Sequence, residues 1–163
     1  MPADTLNPLS DRALASALAS PLDFPVLWPV TTRWADNDMF GHLNNAVYYQ
    51  LFDTAINGWI STELDLDPMA TGTTAVVAES GCRFLSEVRF PSPLTVGLAV
   101  TRLGRSSVTY QLGLIDSPED DDEVRRPTVA AVGHWVHVYV DRVKGTPVSI
   151  PSDVWALLAT AGR

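Results

Sequence analysis

Residues 33–60 read RWADNDMFGHLNNAVYYQLFDTAINGWI, a polar opening that runs straight into an apolar stripe. From Asn45 onward, Val47 or Tyr48, Leu51, Phe52, Ala55, Ile56, Trp59 and Ile60 recur at three- and four-residue spacings, which predicts a helix facing a core. Apolar side chains take up much of its circumference, so the helix is better buried than laid on a surface. The opening holds Asp36, Asn37, Asp38, Gly41, His42, Asn44 and Asn45, more carboxylate, amide and imidazole than a connecting loop requires. Asn44 is the simplest N-cap, since its side chain can accept from a first-turn N–H. Gly41 relieves a turn or lets a ligand approach closely.

Beyond this helix the texture changes. TAVVAESGCRFLSEVRF (74–90), LTVGLAVTRLG (94–104), SVTYQLGLID (107–116) and TVAAVGHWVHVYVD (128–141) are long β-type runs. Alternation is clearest at Val96, Leu98 and Val100, and again at Val108, Tyr110, Leu112 and Leu114. PSP at 91–93 and GRSS at 104–107 read as tight turns, and SPEDDDEVRRP at 117–127 as a charged, solvated hairpin tip. Ahead of the helix, VLWPVTTRW (26–34) reads as a strand that Pro29 confines to an edge or a strand start. PSDVWALLATAG (151–162) predicts a terminal helix with Ser152 or Asp153 near its start. Residues 1–24 carry prolines around SDRALASALAS, a helix-capable run that Ser10 would open, and read as an arm; 25–163 read as one domain. Strand, buried helix, then four strands is an α+β layout in which one sheet covers one helix. Such a sheet leaves its edges open, and pairing between subunits is one way to close them, so an oligomer is expected.

Composition sets the limits on function. The 163 residues carry a formal net charge of −8, which disfavours non-specific binding to nucleic-acid phosphates. Of the 11 basic residues only Lys144 is a lysine, and arginine is the better bidentate partner for phosphate, so a local phosphate site stays open. Cys82 is the single cysteine, which removes any intramolecular disulfide or multi-cysteine metal site and fits a reducing compartment. No basic n-region precedes a continuous apolar segment, and no apolar run reaches a membrane span, so a soluble, cytoplasmic protein without membrane contact is expected.

Taken together, Asp-x-Asp-x-x-Gly-His followed by Asn-Asn and a Tyr-rich helix in 33–50, the FLSEVRFPSPL segment and the GRSS turn resemble the hotdog-fold acyl-CoA thioesterases of the 4-hydroxybenzoyl-CoA thioesterase type. The resemblance covers about residues 26–141. It implies a curved antiparallel sheet wrapped around one long central helix, and a homodimer or homotetramer with sites at the interface. It implies that Asp38 is the catalytic carboxylate, acting on the thioester as nucleophile or through water, and that the Asn45 backbone N–H polarises the carbonyl. A helix N-terminus suits that second role on general grounds, since its N–H groups are unsatisfied and its dipole is positive. From the residues alone, Asp38 could equally cap a turn or pair with Arg33, Asp36 is better read as structural, and His42 could hold the loop, orient the substrate or adjust the protonation of Asp38; Asp38, Asn45 and His42 are the candidate catalytic residues. Gly41, Asn44, Arg83, Arg89, Arg105 and Ser106 are the candidate substrate-binding residues, the arginines, with Arg102, for the phosphates of coenzyme A. The expected substrate is a small molecule, an acyl-CoA whose acyl group the sequence leaves open, with no cofactor beyond the coenzyme A it carries, no metal and no nucleic acid. Two rivals stay open: a hydratase or dehydratase of acyl thioesters on the same fold, and a non-catalytic acyl-CoA or lipid binder.

Weaker signals have bland readings. His134 and His137 are three apart on a strand, so alternation sends them to opposite faces and they cannot share a metal. Glu79 reads as a solvated or paired strand residue. Ser80, Ser106 and Ser107 lack the GxSxG context of a nucleophile elbow, and neither GxGxxG nor GxxxxGKS occurs.

Overall fold

The computed structural model describes residues 20–67, 69–117 and 126–163. Ser10 and most of the expected arm and charged hairpin tip lie outside the described residues. Helix α1, Asn45–Glu63, buries Val47, Tyr48, Leu51, Phe52, Ala55, Ile56, Trp59 and Ile60, the stripe expected from periodicity. Five strands curve around it: β1 Val26–Val30, β2 Thr73–Phe84, β3 Leu94–Leu103, β4 Ser107–Asp116 and β5 Thr128–Asp141. They form one antiparallel sheet in the order β1-β3-β4-β5-β2. This is the hotdog architecture.

Side-chain alternation divides the sheet. On the inner face Val96, Leu98, Val108, Tyr110, Leu112, Leu114 and Trp135 join the helix in one core. On the outer face Phe24, Ala99, Ile115, Val129 and Val132 form a smaller cluster. Bulges between Val77 and Glu79, Val100 and Arg102, and Leu114 and Ile115 add local twist, which lets the sheet curl. Gly133 allows the closest approach of helix to sheet, because a Cβ there would come within 2.7 Å of the Phe52 ring. Helix α2, Ser152–Thr160, seals the end of the barrel-like core with Val154 and Leu158, and Val100 donates to the Ala161 carbonyl at 2.7 Å.

Two differences from the expected elements bear on function. The run expected as strand from 74 to 90 pairs only as far as Phe84. Leu85 and Ser86 both donate to the Ala130 carbonyl, at 2.8 and 3.0 Å, which ends the ladder. Residues 85–90 then leave the sheet, and the Val88 carbonyl accepts from Leu43 at 2.8 Å, tying this segment to the polar opening of α1. Likewise 31–34 are not strand; they lead into a 3-10 turn at Trp34–Asp36. Among the described residues no helix is long and apolar enough to cross a membrane.

Candidate active site at the start of the central helix

The polar opening is a set of interlocked turns. Arg33 and Asp36 close the first: the Asp36 carboxylate accepts from the Arg33 backbone N–H at 2.7 Å and from its guanidinium at 2.8 Å. Asp36 is buried, and the Arg33 guanidinium holds its carboxyl below the ordinary aspartate range despite that burial. Its carbonyl accepts from Asn44 at 2.9 Å. Asp36 is therefore a structural brace, as expected.

Asp38 closes the second turn. Its N–H donates to the His42 carbonyl at 2.8 Å, and its Oδ1 accepts from Phe40 N–H at 2.8 Å and from His42 N–H at 3.3 Å. Gly41 sits at φ +79, a left-handed conformation that permits the reversal between Phe40 and His42. The second oxygen, Oδ2, has no hydrogen bond among the described residues. One oxygen thus anchors the carboxylate, and the other is unengaged among the described residues.

At the helix start, Asn44 Oδ1 accepts from Ala46 N–H at 2.9 Å, so Asn44 is the N-cap. Val47 N–H reaches the Asn44 carbonyl at 2.9 Å. The N–H of Asn45, the first helical residue, has no acceptor among the described residues. Asp38, His42 and Asn45 line one open cleft of about 300 Å³ together with Tyr48, Phe84 and Glu87. Tyr48 stacks edge-on against Phe84, ring centroids 4.9 Å apart, and burial pushes its hydroxyl up to about 12, so it stays a neutral donor.

Glu87 is a residue that the sequence reading passed over. His42 Nε2 lies 3.0 Å from Glu87 Oε2, and Arg89 Nη2 lies 3.6 Å from the same oxygen and 3.2 Å from the imidazole. Glu87 can accept only from a protonated Nε2, whereas Arg89, a donor only, needs a lone pair on that same nitrogen, so His42 makes one contact or the other according to which nitrogen holds its proton. Glu87 and Arg89 stand two apart, a spacing that keeps both on one side of an extended segment. That spacing was visible in the sequence, but nothing there indicated that the segment would leave the sheet to meet His42.

Not every candidate reaches this cleft within one chain. Asp38, Gly41, His42, Asn44, Asn45 and Arg89 come together. Arg83 neighbours Phe84 on β2, and because Phe84 faces Tyr48, alternation turns Arg83 to the other face of the sheet. Arg105 and Ser106 form the loop of the β3–β4 hairpin, closed by Gly104 N–H donating to the Ser107 carbonyl at 2.8 Å. Phe84 pairs with Ala131 and that with Leu114, whereas Ser107 pairs with Val138, so the hairpin is roughly 24 Å along the sheet from the cleft. His134 lies 3.2 Å from Glu79, and His137 is buried beside Trp135, so the two histidines do part to opposite faces and Glu79 is paired. Among the described residues no three of His, Cys, Asp and Glu converge as a metal group.

Comparison with known proteins agrees with this fold. Residues 32–158 match the model of the thioesterase-like superfamily. No curated protein sequence matches. The PA5185 protein of Pseudomonas aeruginosa is 37% identical, over 85% of this chain and 92% of that one, with a TM-score of 0.77. A thioesterase from Thermus thermophilus, solved with coenzyme A and zinc, is 26% identical over 85% of this chain and 95% of that one, with a TM-score of 0.68. A 1,4-dihydroxy-2-naphthoyl-CoA thioesterase from Synechocystis, at 15% identity over 82% and 94% of the two chains, shares the fold with a TM-score of 0.68. With the family match spanning the polar opening, the central helix and strands β2 to β5, this chain belongs to the thioesterase-like superfamily.

Proposed function

We propose that the protein hydrolyses acyl-CoA thioesters to the free acid and coenzyme A. The observation that carries this reading is the pairing, in one cleft, of a carboxylate with one free oxygen and a helix N-terminus with an unpartnered N–H. A thioester carbonyl seated against Asn45 N–H gains stabilisation as negative charge develops on its oxygen, since the donor and the α1 dipole are already oriented. Asp38 Oδ2 either attacks the carbonyl carbon or takes a proton from water that attacks it. In both routes the C–S bond breaks and the coenzyme A thiolate leaves and is protonated. In the first, water then cleaves the acyl-aspartyl anhydride and restores the carboxylate. His42, held by Glu87, orients the loop that carries Asp38. The Thermus thermophilus relative that holds coenzyme A supports this ligand class.

Arg89, the cation nearest the cleft, is the first candidate for a coenzyme A phosphate. Arg83, Arg105 and Ser106 reach the same ligand only if a second subunit presents them. A homodimer or homotetramer supplies that subunit, and the open edge of β2, with Val76 and Val77 each more than two-fifths exposed, is where copies would pair.

The test is a panel of acyl-CoAs with free thiol as the readout, run on wild type and Asp38→Asn. The amide oxygen can keep the two N–H bonds of Oδ1 while the reactive anion is lost, so a folded variant with turnover down about 100-fold or more is expected. Near wild-type turnover in that variant, with deamidation excluded, would sink the assignment. Enoyl absorbance changes without thiol release would make the protein a hydratase, and affinity without turnover a binder.

A further inference from the structure

At the start of α1, Asn45 N–H gives a thioester carbonyl one donor, whereas sites that hold developing charge on oxygen are commonly built from more than one. Tyr48 stands three residues further along the helix, on the face that Asn45 occupies, and lines the same cleft. Helical side chains lean toward the N-terminus, so the Tyr48 ring lies over the turn that begins at Asn45. Other groups of the cleft are engaged or of the wrong kind. The N–H groups of Leu85 and Ser86 both go to the Ala130 carbonyl, and the carboxylates of Asp38 and Glu87 only accept when ionised.

The Tyr48 hydroxyl is in an uncommon state for a buried tyrosine. The residue is 3% exposed, with its ring edge-on to Phe84, yet its hydroxyl has no hydrogen-bond partner among the described residues. Tyr110 is also unpartnered, but its hydroxyl is sealed from solvent as well. That of Tyr48 is not sealed, so the small part of the residue that solvent reaches includes the oxygen. A phenylalanine would pack against Phe84 equally well. Buried tyrosines normally find a partner, and a reachable, unpartnered donor in the wall of a cleft is explained by a partner that arrives with a ligand. Burial pushes the hydroxyl up to about 12, so it keeps its proton near neutral pH.

We infer that the Tyr48 hydroxyl is a catalytic donor, which with Asn45 N–H completes a two-donor site for the thioester carbonyl oxygen. This rests on the thioesterase reading of the cleft. As the nucleophile adds to the carbonyl carbon, the π pair moves onto oxygen and the hydroxyl hydrogen bond to it tightens, the proton staying on Tyr48. When the C–S bond breaks and the carbonyl re-forms, the contact relaxes. The hydrogen bond is stronger in the transition state than to the bound substrate, so it acts on kcat more than on KM.

Tyr48→Phe keeps the ring against Phe84 and removes only the hydroxyl. On the acyl-CoA of the panel that is turned over fastest, kcat is expected to fall about 100-fold with little change in KM. The contact itself is read with a ketone analogue of octanoyl-CoA, a methylene replacing the sulfur and the carbonyl labelled with ¹³C, by isotope-edited infrared spectroscopy of the bound ligand. The carbonyl stretch is expected at lower frequency in wild type than in Tyr48→Phe, and lower still with 3,5-difluorotyrosine at position 48, whose hydroxyl is the more acidic donor. A hydroxyl that served only the fold would leave that trend absent. The difluorotyrosine protein retains ring and hydroxyl, so it supplies the same readout should Tyr48→Phe not fold. A stretch that is equal in wild type and in the altered proteins overturns the inference whatever the change in kcat. A stretch lowered by the hydroxyl in a protein that releases no thiol keeps the inferred contact and sinks the hydrolase reading. Wild-type kcat in a folded Tyr48→Phe does the reverse, so the two fail separately, and an analogue that does not bind overturns both.

Discussion

Asp38 and His137 show how one residue's role depends on which of its atoms are already engaged. One oxygen of Asp38 braces the 38–42 turn and the other is unengaged among the described residues, and the nitrogen of His137 that serves Trp135 fixes the proton on the ring's other nitrogen. The crowd of polar residues before a helix start drew attention to the loop, but only the family resemblance singled out Asp38, which from the residues alone could equally cap a turn or pair with Arg33. The sequence could not mark His137, since alternation gives the face of a strand residue but neither its depth nor its partners. Its depth has a measurable consequence. The folded ring titrates near 4 and an unfolded histidine near 6.5, so below pH 6.5 the unfolded chain takes up a proton that the folded one refuses. Stability attributable to His137 is therefore full above pH 6.5 and falls as pH drops toward 4. Between pH 7.5 and 5, wild type should lose about 2 kcal/mol more than His137→Gln, which keeps an acceptor for Trp135 but cannot titrate. Urea unfolding of both proteins at the two pH values measures it, and parallel losses would show that the imidazole titrates normally in the fold.

At the level of elements, the central helix was legible because its apolar spacing is long and uninterrupted, and the strands because β-branched and aromatic residues alternate between clear turns. What the sequence did not disclose was where β2 stops. Leu85 to Phe90 are as β-prone as the residues before them, and only their tertiary bonds, to Ala130 on one side and Leu43 on the other, take them out of the ladder. That exit delivers Glu87 and Arg89 to His42. Close approach of α1 to the sheet was equally hidden, for a glycine in a strand signals a bulge or a tight contact without saying which. At Gly133 it is the contact: Phe52, fully buried, occupies the space a side chain would need. Gly133→Ala should lower stability by about 1–3 kcal/mol, and pairing it with Phe52→Leu should recover part of the loss, because the smaller side chain vacates that space. Denaturant midpoints of the single and double variants decide this; strictly additive losses would place the strain elsewhere.

Over the whole molecule, the question is how an acidic protein holds a polyanion. A net charge of −8 repels coenzyme A at long range, so the proposed substrate needs local cations. Among the described residues of one chain, Arg89 stands beside the cleft, while Arg105 projects from a hairpin roughly 24 Å away along the sheet. The resemblance that drew attention to the GRSS turn concerns an assembly in which sites lie between subunits, and distances inside one chain are not the relevant ones there. Two expectations follow from that. The protein should sediment as a dimer or larger, and Val76→Lys on the exposed β2 edge should shift it toward monomer, since a lysine on an edge strand opposes pairing. Arg105→Ala should raise KM for acyl-CoA with little change in kcat, because phosphates remote from the carbonyl contribute binding common to ground and transition states. The penalty should shrink at high salt and nearly vanish for a short thioester lacking the nucleotide. In a monomeric Val76→Lys background that retains any activity, Arg105→Ala should change nothing further, because no second hairpin is then within reach. A KM penalty of equal size for both substrates would instead assign the Arg105 side chain to shaping the hairpin or the pocket. The phosphates would then fall to Arg89 alone, and Arg89→Ala would carry the whole salt-dependent loss.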